Sequence, residues 1–166
     1  MQFEASESGN IRVEMVREDL ENIPQFDLPD GYALHWYQPG DEEHWVCIQR
    51  QADQFNVITS ALFNQQFGTD FKLLEQRQCY LLNPRKEFIG TATAWFDDNF
   101  EEAPIGRVHW VALLPEFHGR GLSKPLMTAV CRRLRELGHR RVYLRTSSAR
   151  VAAIALYLRF GFVRTA

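Results

Sequence analysis

The chain is short of cysteine, and the three it has, Cys47, Cys79 and Cys131, are far apart with no C-x-x-C spacing. That argues against a disulfide framework or a cysteine zinc site, and fits a reducing, cytoplasmic compartment. The five histidines (His35, His44, His109, His118 and His139) are equally scattered, so no metal is expected. No apolar run approaches the ~20 residues of a membrane span. Residues 1–8 have neither the positive start nor the apolar stretch of a secretory signal. Neither sign of charge dominates: Lys plus Arg is 19 against 21 Asp plus Glu, a net −2. The strongly basic character of a general nucleic-acid binder is therefore missing, and neither nucleic acid nor membrane is expected as a partner. Repeats, low-complexity tracts and Gly/Ser linkers are absent too.

What is present is an ordinary globular composition, 45% apolar and 24% charged over 166 residues. A chain of this length buries a real core and makes one domain. Residues 1–30 read as an N-terminal tail with one short strand, Ile11–Val16, where apolar and polar residues alternate. An extended crossing segment with Pro24 and Pro29 follows. Residues 31–166 read as the domain proper, opening with a strand over 31–37. A helix begins at Asp41-Glu42-Glu43, whose carboxylates suit the positive end of its dipole. A second helix spans 58–67 and ends at Gly68; residues 70–76 add a short third. Strands are expected at 78–82, 87–96 and 107–113, antiparallel to one another. The C-terminal third reads as a loop over 115–121, a helix over 123–137 stopped by Gly138, and a strand over 141–145. A last helix over 150–160 is apolar on nearly every side, which predicts burial. The order suggests an α/β sheet of mixed direction.

The chemistry concentrates where the strand Val111-Ala112-Leu113 runs into His118-Gly119-Arg120-Gly121-Leu122-Ser123 and opens a helix. Two glycines let the backbone approach a ligand closely, and the N–H groups of the helix start suit a phosphate or pyrophosphate. Neither a Walker A loop nor G-x-G-x-x-G is matched. Downstream stand Arg150, Ala153, Tyr157, Gly161 and Phe162.

Together these segments resemble the GNAT superfamily of N-acetyltransferases over residues 106–162. The phosphate-loop pattern of that family is Gln or Arg, two residues, Gly, one residue, Gly or Ala. His118 and Ser123 depart from it at its ends. The later pattern, Asn-x-x-Ala-x-x-x-Tyr and then Gly-Phe, is met except that Arg150 replaces Asn. The resemblance implies a mixed, mostly antiparallel twisted sheet flanked by helices, with a shortened C-terminal end. It also implies an acyl-CoA-dependent N-acyltransferase that moves acetyl from acetyl-CoA to an amine by direct attack. A non-catalytic module that binds acyl-CoA or a partner protein on the same fold is the rival.

Residue by residue, the resemblance implies that backbone groups of Val111, Ala112 and Leu113 hold the pantetheine arm. Amides of Gly119, Arg120, Gly121, Leu122, Ser123 and Lys124 cradle the pyrophosphate. Arg150 either reaches a coenzyme phosphate or is a solvated charge at a helix start. Tyr157 serves the departing thiolate as a proton donor or polarises the thioester; the bland alternative is a packing residue. For the base, relatives with a Glu on the strand before the last helix offer no help, because Arg145 stands there. His109, two residues before Val111 and expected on its strand face with Leu113, matches another branch. A packed strand histidine, or a water chain to Glu101 or Glu102, are the alternatives. The acidic stretch Asp97, Asp98, Glu101 and Glu102 either attracts a cationic amine or is a solvated hairpin. The acceptor is left open among small amines, antibiotics, amino acids and protein N-termini.

Only four residues follow Phe162, too few for the two-stranded hairpin that usually ends such sheets. The edge of the 141–145 strand must then be covered by Ile11–Val16 or by a second copy. A homodimer is slightly preferred, because twofold dimers are the commonest closed assemblies.

Overall fold

The computed structural model describes residues 10–97 and 104–165. The notable acidic residues Asp98, Glu101 and Glu102, and the tail 1–9, lie outside that range. Among the described residues seven strands form one sheet: β1 (Arg12–Arg17), β2 (Ala33–Trp36), β3 (Gln78–Leu82), β4 (Phe88–Asp97), β5 (Ile105–Leu113), β6 (Val142–Ser147) and β7 (Val163–Arg164). Their order across the sheet is β2-β3-β4-β5-β6-β1-β7. All neighbours are antiparallel except β5 and β6, which run parallel.

Five helices accompany the sheet: α1 (Glu42–Ala52), α2 (Ser60–Phe67), α3 (Phe71–Arg77), α4 (Ser123–Glu136) and α5 (Val151–Arg159). Their ends follow from local chemistry. The Thr59 hydroxyl accepts the Leu62 N–H at 3.0 Å and the Asp70 carboxylate accepts the Leu73 N–H at 3.2 Å, capping α2 and α3. Pro125 sits in the first turn of α4, and Gly138, at φ +89°, takes the left-handed turn beyond its end.

The core has two sides. Val13, Met15, Ala92, Ala94, Val108, Val142 and Leu144 of the sheet meet Leu126, Val130 and Leu134 of α4 and Phe160 beyond α5. On the other face, Trp45 and Ile48 of α1 and Phe63 and Phe67 of α2 pack with Tyr80 and Ala112. The Thr128 hydroxyl donates to the Pro24 carbonyl at 2.9 Å and accepts the Phe26 N–H at 3.2 Å, pinning the crossing segment onto α4.

One open choice is decided and one expectation changes. The edge of β6 is covered by the chain's own β1, which pairs from Arg12↔Ser147 to Arg17↔Val142. β7 then adds to β1 through Met15↔Arg164 and Val16↔Val163. The open edge that favoured a twin is thus filled from within, and it no longer argues for a homodimer. The change is in α5, which is not a buried helix: Tyr157 is its one buried residue, and Val151 is 72% exposed. Ala153, Ile154, Leu156 and Tyr157 pack on the core, while Val151, Ala152 and Ala155 face a cavity.

Candidate functional site

β5 and β6 pair only at Gly106↔Val142 and Arg107↔Tyr143, and then diverge. Beyond that point the β5 edge turned away from β4 has no strand beside it among the described residues. Such an edge offers backbone groups to any extended chain that lies along it. A cavity of about 890 Å³ occupies this region. Its wall is built from Val111, Ala112 and Leu113 on β5, the loop before α4, the α5 face from Val151 to Arg159, and Gln49 to Phe55 at the end of α1.

The loop fits an anion. Gly119 and Gly121 adopt φ of +77° and +73°, where L side chains are strained, and a Cβ on either would meet open space. The backbone N–H groups of Gly119, Arg120, Gly121, Leu122 and Ser123 have no acceptor among the described residues. Five N–H groups at a helix start form a nest whose partial charge favours phosphate. Lys124 stands beside them, its ammonium 5.5 Å from the Phe26 ring, and Arg159 reaches the same ring at 5.2 Å. The side chains of two loop residues are taken up by neighbouring residues. His118 turns back and donates to the Leu113 carbonyl at 2.9 Å, and the Arg120 side chain lies over Phe117 at 5.1 Å, off the cavity wall.

Tyr157 lines the cavity and is buried, with its ring edge-on to Phe162 at 6.4 Å. Its hydroxyl has no hydrogen-bond partner among the described residues. Burial pushes the phenol up to about 12, with Arg150 pulling weakly the other way. The hydroxyl is not among the fully enclosed unpartnered atoms, so it opens toward the cavity.

Arg150 caps the start of α5 and closes one end of the cavity. Its guanidinium lies 3.5 Å from the Asp53 carboxylate and 5.1 Å from the Phe55 ring. The Asp53 side chain is only 2% exposed, and its Oδ1 accepts the N–H groups of Phe55 and Asn56. This contact straps the end of α1 to the start of α5.

His109 is placed differently from its expectation. β5 carries a bulge: Thr91 pairs with Ala112 but Thr93 with His109, and Trp110 sits at φ +53°. The extra residue inverts the alternation, so Val111 joins the α4 side while His109 faces α2, 5.6 Å from the Phe67 ring. His109 therefore does not share a face with Val111, nor does it line the cavity. Gln66 fixes its tautomer. Gln66 Oε1 accepts the indole N–H of Trp110 at 3.1 Å, so that atom is an oxygen, and His109 Nε2 at 3.0 Å must be its second donor. Nδ1 is left as the basic nitrogen. Burial, then Arg107 and Arg145, hold the imidazole well below its usual range, so it is neutral at pH 7.

That depression has a consequence for stability. The unfolded chain takes up a proton near pH 6.5 that the folded chain refuses, so stability is full above this value and falls as pH drops through it. The urea midpoint should decline from pH 7.5 to 5.5, and His109→Gln should shrink the decline; an unchanged decline would show that the imidazole titrates normally. His139, also lowered by burial, supplies part of what remains.

The model of the acetyltransferase (GNAT) family matches residues 14–162. The chain belongs to this family. Among curated relatives of the domain, the mycothiol acetyltransferase of Salinispora tropica is 31% identical over 147 residues, covering 86% of this chain and 48% of that one. The mycothiol acetyltransferase of Paenarthrobacter aurescens is 31% identical over 152 residues, covering 86% and 46%. The GNAT chain thus spans about half the length of the curated relatives it matches. A crystal structure of a GCN5-related N-acetyltransferase from Sphaerobacter thermophilus superposes with a TM-score of 0.76 at 21% identity, covering 94% of this chain and 48% of that one. Gln49, Asp53, Phe55 and Arg159 of this GNAT domain escaped the sequence motifs. They come to the cavity from α1 and the end of α5, and no local spacing signals that meeting.

Proposed function

We propose that the protein is an acetyl-CoA-dependent N-acetyltransferase. The observation that carries this reading is one cavity bordered by a loop with five N–H groups unpartnered among the described residues, a strand edge beside it, and Tyr157 among its lining residues. The loop amides and Lys124 hold the pyrophosphate, with Arg159 as a further cation. The edge over Val111, Ala112 and Leu113 receives the pantetheine amides as an added strand. A neutral amine then attacks the thioester carbonyl directly, and the thiolate leaves. The chain contributes position above all, which supplies a large part of the barrier reduction in such transfers.

The Tyr157 phenol, pushed up to about 12, is a weaker acid than a thiol, whose reference value is about 8.5. Its O–H therefore stabilises the developing thiolate by hydrogen bonding more than by complete proton transfer. The proton reaching the thiol originates on the attacking amine. His109 Nδ1, neutral and bare, is the candidate to relay it; its distance from the cavity wall calls for an intervening water. Acetylation in the named relatives supports acetyl as the group moved.

The test is a screen of amine acceptors with purified protein and acetyl-CoA, following release of free coenzyme A. Turnover with at least one amine supports the reading. Tight binding of acetyl-CoA with no turnover across the screen supports the binding-module alternative.

A further inference from the structure

Arg107 and Arg145 are two cations that the transfer chemistry above does not use. They stand at the vertex of the wedge, on the sheet face that carries α1 and α2. Arg107↔Tyr143 is the last β5–β6 pair, and His109 and Arg145 are the next residues on that face of the two diverging strands. The ring of Tyr143 is shared by both cations, with the Arg107 guanidinium carbon 5.2 Å and the Arg145 carbon 5.4 Å from its centre. Arg145 Nε donates to Glu14 at 3.1 Å, but Glu14 is also shared with Arg12 at 3.7 Å. Arg107 makes no ion pair among the described residues, and its Nε is buried without a hydrogen-bond partner. Asp97 accepts the Tyr143 O–H at 3.1 Å, and both groups offset part of the burial that lowers the Arg107 guanidinium.

Two guanidiniums gathered on one ring repel each other, and a buried N–H without an acceptor is costly. Both penalties vanish if an anion joins them. A guanidinium presents a planar fork that suits carboxylate or phosphate oxygens two at a time. The electrostatic reach of the pair extends to His109, whose imidazole is lowered first by burial and then by both arginines. The position is right for an acceptor. The cavity extends from the α4 loop to the C-terminal end of α1, so the coenzyme occupies the α4 and α5 end. Neither arginine lines that cavity, so an acceptor held by them would lie on the α1 and α2 face where β5 and β6 part and reach toward it. From Arg107 to His109 is two residues of strand, about 7 Å, the span of a few covalent bonds.

Resting on the acetyltransferase reading, we propose that the acceptor is a small amine bearing an oxyanion group, a carboxylate or a phosphate, which Arg107 and Arg145 bind while the amine faces the thioester. The experiment compares matched amines with purified protein and acetyl-CoA: amino acids and dipeptides, their carboxamides, and 2-aminoethyl phosphate. The acid or the phosphate is expected to exceed the carboxamide in kcat/KM by roughly tenfold or more, and the better of the two names the oxyanion. Arg107→Gln should raise KM for the anionic amine roughly ten- to hundredfold and abolish the preference, with KM for acetyl-CoA unchanged. Arg145→Gln, at a more exposed position, should do the same to a smaller degree and guards against a folding defect in the first variant. A carboxamide used as well as its acid, or an equal loss on all amines in both variants, would overturn the proposal and leave the acetyltransferase standing. Acetyl-CoA binding without turnover of any amine overturns it as well. Absence of acetyl-CoA binding would overturn the parent reading itself.

Discussion

Tyr157→Phe is expected to lower kcat for acetyl transfer by roughly 100-fold, while affinity for acetyl-CoA stays within about twofold. The hydroxyl is the one group removed, and no described residue loses a partner with it. Stability should accordingly change by no more than about 0.5 kcal/mol. The pH profile sharpens the test. A phenol raised to about 12 stays protonated across the working range. Hence kcat should show no alkaline limb from this residue below about pH 11, and the limb seen in the wild type at lower pH should persist in the variant. Unchanged turnover would make Tyr157 a packing residue, and the thiolate would then be served by solvent.

Gly121→Ala should weaken acetyl-CoA binding by roughly tenfold or more. At φ +73° an alanine is strained, and relief by rotating the backbone would turn the adjacent N–H groups out of the nest. Gly40→Ala is the matched control. Gly40 has φ +101°, equally open surroundings, and no place on the cavity wall. Both variants should lose stability of about 1 kcal/mol, since both place a Cβ in the left-handed region. Only the Gly121 variant should lose the coenzyme. Equal affinity in the two would show that the loop does not hold the pyrophosphate.

Much of the fold could be read from local signals. Alternation marks β1, the acidic first turn marks α1, and Gly138 marks the end of α4. These are properties of neighbouring residues. The loop over 118–123 and Tyr157 were equally visible, because glycine spacing before a helix and a tyrosine on the final helix are local patterns. What escaped is long-range. The insertion of β1 between β6 and β7 joins residues at least 125 positions apart, and nothing within Ile11–Val16 chooses it over a second copy as the cover for that edge. The bulge at Trp110 has no signal of its own, since a tryptophan at positive φ is held there by its surroundings: Gln49 donates to its carbonyl and Gln66 accepts its indole N–H. One extra residue was enough to move His109 to the other face. The cavity side of α5 read as core because a helix facing a ligand cavity and a helix facing a core have the same composition. Asp53 and Phe55 lie in a loop with no motif, and only Arg150, arriving from the far end of the chain, gives them a role.

Calorimetric titration of acetyl-CoA into the purified protein tests the central claim most directly. The account predicts a single saturable event at one coenzyme per chain, weakened roughly tenfold or more by Gly121→Ala and unaffected by Tyr157→Phe. No heat of binding in the wild type, with or without an amine present, would contradict it.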